Sequence, residues 1–482
     1  MIEFLNEFLN EALMKFRSCF SRQATFSWFV VIVVGLMIRQ DYLGVTSVIR
    51  SLCLYPCYEL LIGFFRSSAW SLEVLTEKWC QFVRDSVPLV KVGGAVILPG
   101  DGVKQGKEGR KMPGVKKLHQ ESENSSKAEY IFGHQFGAVG VMAEPVAGKD
   151  FCIPLAVAIH DGVKGILGWV NSQERQGSHV VEMIKLAYRI AEHFEKAYLV
   201  LDRLFLTVPA LITLDALNKA GKAMVHIVTK AKRNCVAYQE PEARTGKRGR
   251  PAKRGAPVKL YQHFNDRRSL FQTSEVTLYG KIEKVSYLHV DLLWGIKLYQ
   301  KLRFVFVEYG GLANILVTTD LKLQPIDIIQ IYGKRFSIEC MFREMKQVVS
   351  AFGYRFWSKY MPKLNRFRKK DDPDPVMAIT DKHAQKRIGL AIKAYEGYVF
   401  CCAVAIGLLQ ILSIKFSGEN RPSNVRYMRT PTKTALSEST VAEYLRRNIY
   451  SLLLKHADLG ITRIIQAKQT ALDEQYDEKE AS

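Results

Sequence analysis

The chain has 482 residues, and 69 Lys and Arg against 47 Asp and Glu leave a formal charge of +22 at pH 7. Such a length exceeds what one hydrophobic core usually organises, so two or three domains are expected, and such a charge favours a polyanionic partner, nucleic acid first. The nine cysteines are scattered and Cys53 and Cys57 have no second ligand pair nearby, which argues against a structural zinc and for reduced cytosolic thiols.

In residues 1–90, apolar positions recur at helical spacing through Ile2, Phe4, Leu5, Phe8 and Leu9, and again through Leu72, Leu75, Trp79, Phe82 and Val83. They predict an all-α N-terminal domain. Within it Gly44-Val-Thr-Ser-Val-Ile-Arg50 reads as a turn leading into a helix, as in helix-turn-helix modules, with a plain packing unit as the equal alternative. The apolar run Phe26 to Ile38 is short of the roughly 20 residues a membrane span needs. It also begins too far in, behind Glu3, Glu7 and Glu11, to be a signal peptide. Tyr398 to Ile414 is longer but carries Gln410, so both runs are expected as core helices and no membrane contact is expected.

From Gly93 the texture becomes β. Ala95-Val-Ile-Leu98 is a short strand candidate followed by Pro99-Gly100-Asp101-Gly102, and Phe136 to Ala143 and Phe151 to Ile159 are two more. Ser178 to Phe194 is an amphipathic helix that Ser178 can cap, with Val181, Ile184, Leu186, Ala187 and Ile190 apolar. Ala197 to Leu201 is a buried strand ending at Asp202, and Ala223 to Val228 is another. Open α/β sheets hold ligands beyond the carboxyl ends of their strands, which is where Asp202 falls. Asp101 has a competing reading, since Asp-Gly is the commonest turn dipeptide; Asp161-Gly162 is an equally good one at the end of the third strand.

Residues 230–268 are the most basic stretch. Gly246 to Pro257, with Arg248, Arg250, Lys253 and Arg254, reads as a loop that enters a groove or tracks phosphates, against the alternative of a solvated disordered loop. Ser274 to Val285, Tyr287 to Leu293, Leu302 to Tyr309 and Asn314 to Thr318 alternate as antiparallel strands. Trp294 lies among them, either filling their core or offering a face on which a displaced base stacks. Phe352 to Lys370 mixes Tyr354, Phe356, Trp357 and Tyr360 with seven cations, a pattern suited to nucleic acid. Lys386 to Phe416 predicts a long helix covering the sheet, and Val441 to Leu454 a helix in a tail that ends acidic.

The stretch Tyr332 to Lys346 organises the rest. Read as one helix, it places Tyr332, Arg335, Glu339 and Lys346 on one face and Ile338, Met341, Phe342, Met345 and Val349 on a neighbouring, buried one. An ordinary amphipathic helix would show the same two faces. The order Tyr, two residues, Arg, three, Glu, six, Lys resembles the Tyr-Arg-Glu-Lys signature of a large group of bacterial insertion-sequence transposases. The run Lys104, Gly106, Lys107 and Gly109 after Asp101 also resembles that group's run after its first acidic residue, although Pro99-Gly100 departs from it.

The resemblance implies an α/β fold with an RNase H-like mixed sheet flanked by helices. It implies a DNA-end-binding helical domain (1–90), a catalytic domain in two parts (91–230 and 319–416), a basic loop and β insertion between them (231–318), and a helical tail (417–482). Asp101, Asp202 and Glu339 would bind two Mg²⁺, with Mn²⁺ able to substitute, and Tyr332, Arg335 and Lys346 would hold the DNA backbone. The implied activity is cut-and-paste transposition by a cytoplasmic, nucleoid-associated enzyme, on double-stranded terminal repeats and target DNA, as a homodimer. A nuclease or resolvase without strand joining, and an inactive DNA-binding derivative, remain alternatives.

Overall fold

The computed structural model describes residues 2–41, 44–54, 58–120, 128–146, 148–160, 178–242, 252–365, 375–417 and 435–470. Helices α1 (Ile2–Met14), α2 (Gln23–Ile38), α3 (Thr46–Ser51), α4 (Tyr58–Arg66) and α5 (Leu72–Ser86) form the N-terminal part. Among the described residues thirteen strands and eight further α-helices follow, one of them the single turn His263–Asp266. In chain order the first are β1 (Lys91–Val92), β2 (Ala95–Gly106), β3 (Lys116–His119), β4 (Tyr130–Val146), β5 (Lys149–Ile159), α6 (His179–Ala191), β6 (Lys196–Val200), α7 (Val208–Ala220) and β7 (Met224–Lys230). Then come β8 (Val236–Tyr238), β9 (Pro257–Lys259), β10 (Gln272–Leu278), β11 (Lys281–Trp294), β12 (Gln300–Tyr309) and β13 (Leu312–Thr318). The chain closes with α8 (Pro325–Gly333), α9 (Ser337–Gln347), α10 (Lys382–Lys415), α11 (Glu438–Lys455) and α12 (Gly460–Thr470).

All the described strands join one mixed sheet of thirteen strands. In one half β5, β4 and β2 lie side by side and antiparallel, while β6 pairs parallel with β2 and β7 parallel with β6. The crossovers run through α6 and α7, as parallel neighbours require. The other half continues from β7 without a break: β13 pairs antiparallel with β7, then β12, β11 and the short β8 and β9 follow. The inserted β region therefore prolongs the same sheet.

The first long strand differs from the sequence reading. It does not stop at Leu98 but runs through Pro99-Gly100-Asp101-Gly102 to Gly106. Val96 to Pro99 pair with β6 on one side, and Gly100 to Gly106 pair with β4 on the other. The Pro-Gly pair marks this change of partner, where a missing N–H costs least. The strand expected over Ser274 to Val285 is likewise divided. Tyr279 and Gly280, at φ +53° and +77°, make a two-residue hairpin turn between β10 and β11, the conformation that a Gly in second place favours. Ser178 stands at the head of α6 with no side-chain cap bond.

Helix α10 is the axis on which the layers meet. Its 34 residues make about 50 Å of helix, mostly buried from Ala391 to Ser413, and touch α2, α4, α5, α11 and β5. An 18-residue window of it has a mean hydropathy of 2.1, enough by length and composition to cross a membrane, yet 94% of that window is buried within the fold. Gly407 lets the indole of Trp79 approach so closely that an added Cβ would lie 2.4 Å from it. The Trp79 Nε1–H is in turn donated to the carbonyl of Pro154 at 2.7 Å. The N-terminal helices thus share a buried core with the rest of the chain.

The expected turn-helix at Gly44 to Arg50 is present but short. Ser47 and Val48 are buried, and exposed Arg50 is paired with Asp41 at 2.7 Å. Arg39, fully buried at the end of α2, donates to the Gly44 carbonyl at 3.0 Å, to Ser47 Oγ at 2.9 Å and to the Val349 carbonyl just beyond α9.

Candidate active site

Strands β2 and β6 bring Asp101 and Asp202 to one place. Pro99 is the partner of Val200 in the parallel ladder, so the two aspartates stand two residues beyond the same rung. Asp101 Oδ1 accepts the Gly102 N–H at 2.7 Å. Asp202 Oδ1 accepts the Leu204 N–H, and its carbonyl accepts the Thr229 hydroxyl at 2.8 Å. Both aspartates are therefore oriented by backbone and strand contacts, as a positioned ligand needs.

Glu339 arrives on α9. The reading of one continuous helix from Tyr332 to Lys346 is corrected: α8 ends at Gly333, Lys334 to Phe336 form a 3₁₀ turn, and α9 begins at Ser337. A 3₁₀ turn rotates side chains by three residues per turn rather than 3.6, so the four signature residues do not share one unbroken α-helical face. The expected buried face is present in Ile338, Met341, Phe342, Met345 and Val349. The cluster forms nonetheless through Arg335. One of its terminal nitrogens pairs with Asp101 Oδ2 at 2.8 Å and the other with Glu339 Oε1 at 2.5 Å. Lys334 anchors the same turn to Asp150 on β5 at 2.7 Å.

The electrostatics follow from this crowding. Burial pushes the Asp101 carboxyl up to about 6, Arg335 and the Gly102 N–H pull it back, and the negative charges of Asp202 and Glu339 push it further up. Burial works against the Arg335 cation, yet Asp101 and Glu339 hold its pKa above the usual value. Tyr332 is raised to about 12 by burial, with Arg335, Asp202 and Tyr279 among the groups acting on it, so its hydroxyl is a donor at neutral pH. Two cations that the sequence reading did not assign to the site, Lys230 and Arg203, stand here as well. Lys230, at the end of β7, is lowered by burial and by the nearby Arg203 and Arg335, with Asp202 opposing them.

The predicted residues fall into three groups. Asp101, Asp202, Glu339, Tyr332 and Arg335 are brought together. Lys346 is exposed two turns further along α9, about 10 Å of helix from Glu339. Trp294 is partly buried at the end of β11, its indole N–H directed to Cys235 Sγ at 3.2 Å, and the following Gly295 packs against Val208 at the head of α7. Arg248, Arg250 and Asp161 lie outside the described residues. Lys253 is exposed, and the Arg254 guanidinium sits 4.1 Å from the centre of the Tyr238 ring, at the sheet edge where β8 and β9 hold the ends of the basic loop together.

Sequence reasoning did not place Arg203, Lys230 or Tyr279 at the site, although Lys230 opens the basic stretch it singled out. The strand-end rule that found Asp202 also applies to Lys230 on the neighbouring strand. Tyr279 tops the β10–β11 hairpin, 62% exposed and beside Tyr332, with Leu278 packed under Gly333. An aromatic before Gly in an alternating run was its signal. In the segment after α9, Tyr354 and Phe356 prove to be core residues, 1% and 5% exposed, instead of contact residues.

Three carboxylates are hard oxygen donors of the kind Mg²⁺ and Mn²⁺ prefer. As the side chains stand, Arg335 is interposed between two of them, and among the described residues no three His, Cys, Asp or Glu side chains are grouped closely enough to hold a metal ion. The donor chemistry fits such an ion; Arg335 supplies the counter-charge in this arrangement. Comparison with protein-family models, with curated proteins and with solved structures gives no match for this chain.

Proposed function

We propose that this chain is a metal-dependent DNA transposase of the cut-and-paste type, built on an RNase H-like sheet. The observation that carries the reading is the meeting of Asp101 and Asp202, level on adjacent parallel strands, with Glu339 on a helix that Arg335 ties to Asp101. The strand order β5-β4-β2-β6-β7, three antiparallel strands then two parallel ones, supports it, because that is the order of the RNase H-like fold.

Asp101, Asp202 and Glu339 would hold the ions, Mg²⁺ or Mn²⁺. When bound, the ions supply activation of the attacking oxygen and charge neutralisation at the leaving one. The protein's own groups do the positioning. Arg335 spends its two terminal nitrogens on Asp101 and Glu339 and so fixes a positive charge beside them, where a phosphate would lie. Tyr332 offers a neutral donor, and Lys230 and Arg203 add positive potential where a phosphodiester would lie. Water attacks the phosphodiester at an element end, leaving a 3′ hydroxyl and a 5′ phosphate. That hydroxyl then attacks a target phosphodiester and displaces a 3′ hydroxyl there, with no covalent protein intermediate. Double-stranded element ends and target DNA are the partners, and a homodimer would pair the two ends.

The test uses DNA carrying both flanks of the chain's own gene. Wild-type protein should nick at terminal inverted repeats only with Mg²⁺ or Mn²⁺. Glu339→Gln should abolish nicking and leave end binding within a few-fold; normal cleavage by that variant would sink the proposal.

A further inference from the structure

Between α4, the segment after α9 and the start of α10 lies a cleft of about 220 Å³. Its walls include Tyr58, Glu59, Arg66, Trp357, Lys359 and Arg387. Burial alternates along residues 354–358, and Lys359 opens the turn that follows, where the Met361 N–H is donated to the Ser358 carbonyl. Tyr354, Phe356 and Ser358 are buried, while Arg355, Trp357 and Lys359 are exposed, Trp357 by 55%. The inner face is fastened firmly. The Tyr354 hydroxyl bonds His134 Nδ1 at 2.6 Å, the Tyr395 hydroxyl donates to the Phe356 carbonyl at 3.2 Å, and the Ser358 N–H donates to the Lys111 carbonyl at 3.1 Å. The outer face is thus a preformed row of cation, indole and cation.

The segment is also tied to the strand that carries Asp101. Lys107, six residues past Asp101, donates from Nζ to the carbonyl of Tyr354 at 3.1 Å and lies 3.4 Å from the centre of its ring. Six residues of extended chain span about 20 Å, so a nucleic-acid strand leaving the carboxylates along β2 reaches the segment within a few nucleotides.

We infer that this cleft takes an unpaired base of a nucleic-acid strand, stacked on Trp357 with its flanking phosphates at Lys359, Arg66 and Arg387. Stacking decides against a duplex. The faces of paired bases are covered by their neighbours in the stack, so only an unpaired or displaced base can lay a face on the exposed Trp357 indole. Chemistry decides against an acidic peptide, because Glu59 in the wall repels a carboxylate but accepts an N–H from a base edge, such as the N3–H of thymine. The inference rests on the nucleic-acid reading above but not on catalysis.

The experiment uses full-length wild-type protein in EDTA, titrated with a short oligothymidylate, a matched duplex and polyglutamate. Oligothymidylate should quench the tryptophan fluorescence and bind more tightly than the duplex. Trp357→Phe should lose the signal change yet bind within a few-fold, and Trp357→Ala should bind about tenfold more weakly or worse, since the stacking face is gone. Lys359→Gln with Arg387→Gln should weaken binding and flatten its salt dependence. Melting curves equal to wild type establish that the variants fold. Unchanged binding by Trp357→Ala, equal affinity for the duplex, or competition by polyglutamate at equal charge overturns the assignment. Quenching that persists in a protein unable to cleave any DNA refutes the transposase reading alone. Normal cleavage with a Trp357-independent titration refutes the cleft alone.

Discussion

Asp101→Asn should make the protein more stable and inactive at the same time. The Asp101 carboxyl titrates near 6 in the fold against an ordinary 3.8, a rise caused first by burial. Its side chain is only 21% exposed, so solvent screens the effect little. A carboxyl whose pKa is raised by folding resists ionisation in the folded state. The protein therefore loses stability as pH climbs from about 4 through 6, and the full loss is in place at pH 8. Two units correspond to about 3 kcal/mol, an upper figure because part of the strain is relieved locally. Asn is nearly isosteric and cannot ionise, so it escapes that loss; the broken pairing with Arg335 is already counted in the net shift. For a chain this long the entropy of unfolding is about 1 kcal/mol per degree, so Asp101→Asn should melt about 3 °C higher at pH 8. The gap should be about half as large at pH 5 and about a fifth as large at pH 4. Melting curves in EDTA at the three pH values, beside a cleavage assay with Mg²⁺, measure both effects. If the variant melts at or below the wild-type temperature at pH 8, Asp101 carries no ionisation strain and the argument from burial is wrong.

Three further outcomes are expected. Deleting residues 246–257 should flatten the salt dependence of DNA binding if the basic loop follows the backbone, each lost phosphate contact lowering the slope by about 0.9; an unchanged slope returns the loop to solvent. Gly407→Ala should lower stability by about 1–3 kcal/mol through overpacking against the buried Trp79, seen as an earlier denaturant midpoint. Tyr279→Ala should slow the step after the first nick if the exposed ring at the β10–β11 turn receives a displaced base, whereas Trp294→Ala should melt earlier and depress both strand steps together. A later step slowed only by Trp294→Ala would reverse the two roles.

What the sequence made legible follows from which interactions are local. The buried run Ala197 to Leu201 and the aspartate after it read correctly, because a strand apolar on both faces has few other states open to it. The apolar stripe of α9 also read correctly, because helical spacing repeats within a few residues. Strand β2 did not read as a whole. Pro99-Gly100 is a turn signal locally, and only its exchange of β6 for β4 as partner, a matter of distant residues, keeps it extended. The 3₁₀ turn at Lys334 to Phe336 was hidden for the same reason. Its charges are satisfied by Asp150 and Asp101, more than 180 residues away in the chain. The row of Tyr354 and Phe356 looked like a contact surface by composition, and its alternation of buried and exposed residues from 354 to 359 was the better guide.

The same long-range ties explain why the N-terminal helices cannot be treated as an independent attachment. Arg39 at the end of α2 is fully buried and bonds the Val349 carbonyl just past α9, so the helix carrying Glu339 is held from its far end by the first 40 residues. A buried guanidinium deprived of its acceptors costs several kcal/mol, so those contacts form together with the fold. From the other side, Lys107 bonds the carbonyl of Tyr354, which closes the path from β2 round to the segment after α9. Helix α9 is therefore clamped at its start by Arg335 on Asp101 and Lys334 on Asp150, and at its end by Arg39. Asp101 and Glu339, which repel one another, are bridged by Arg335 in the turn that leads into a helix fastened at both ends. That is the condition a preorganised acidic site requires, and here the N-terminal part of the chain supplies one of its three fastenings.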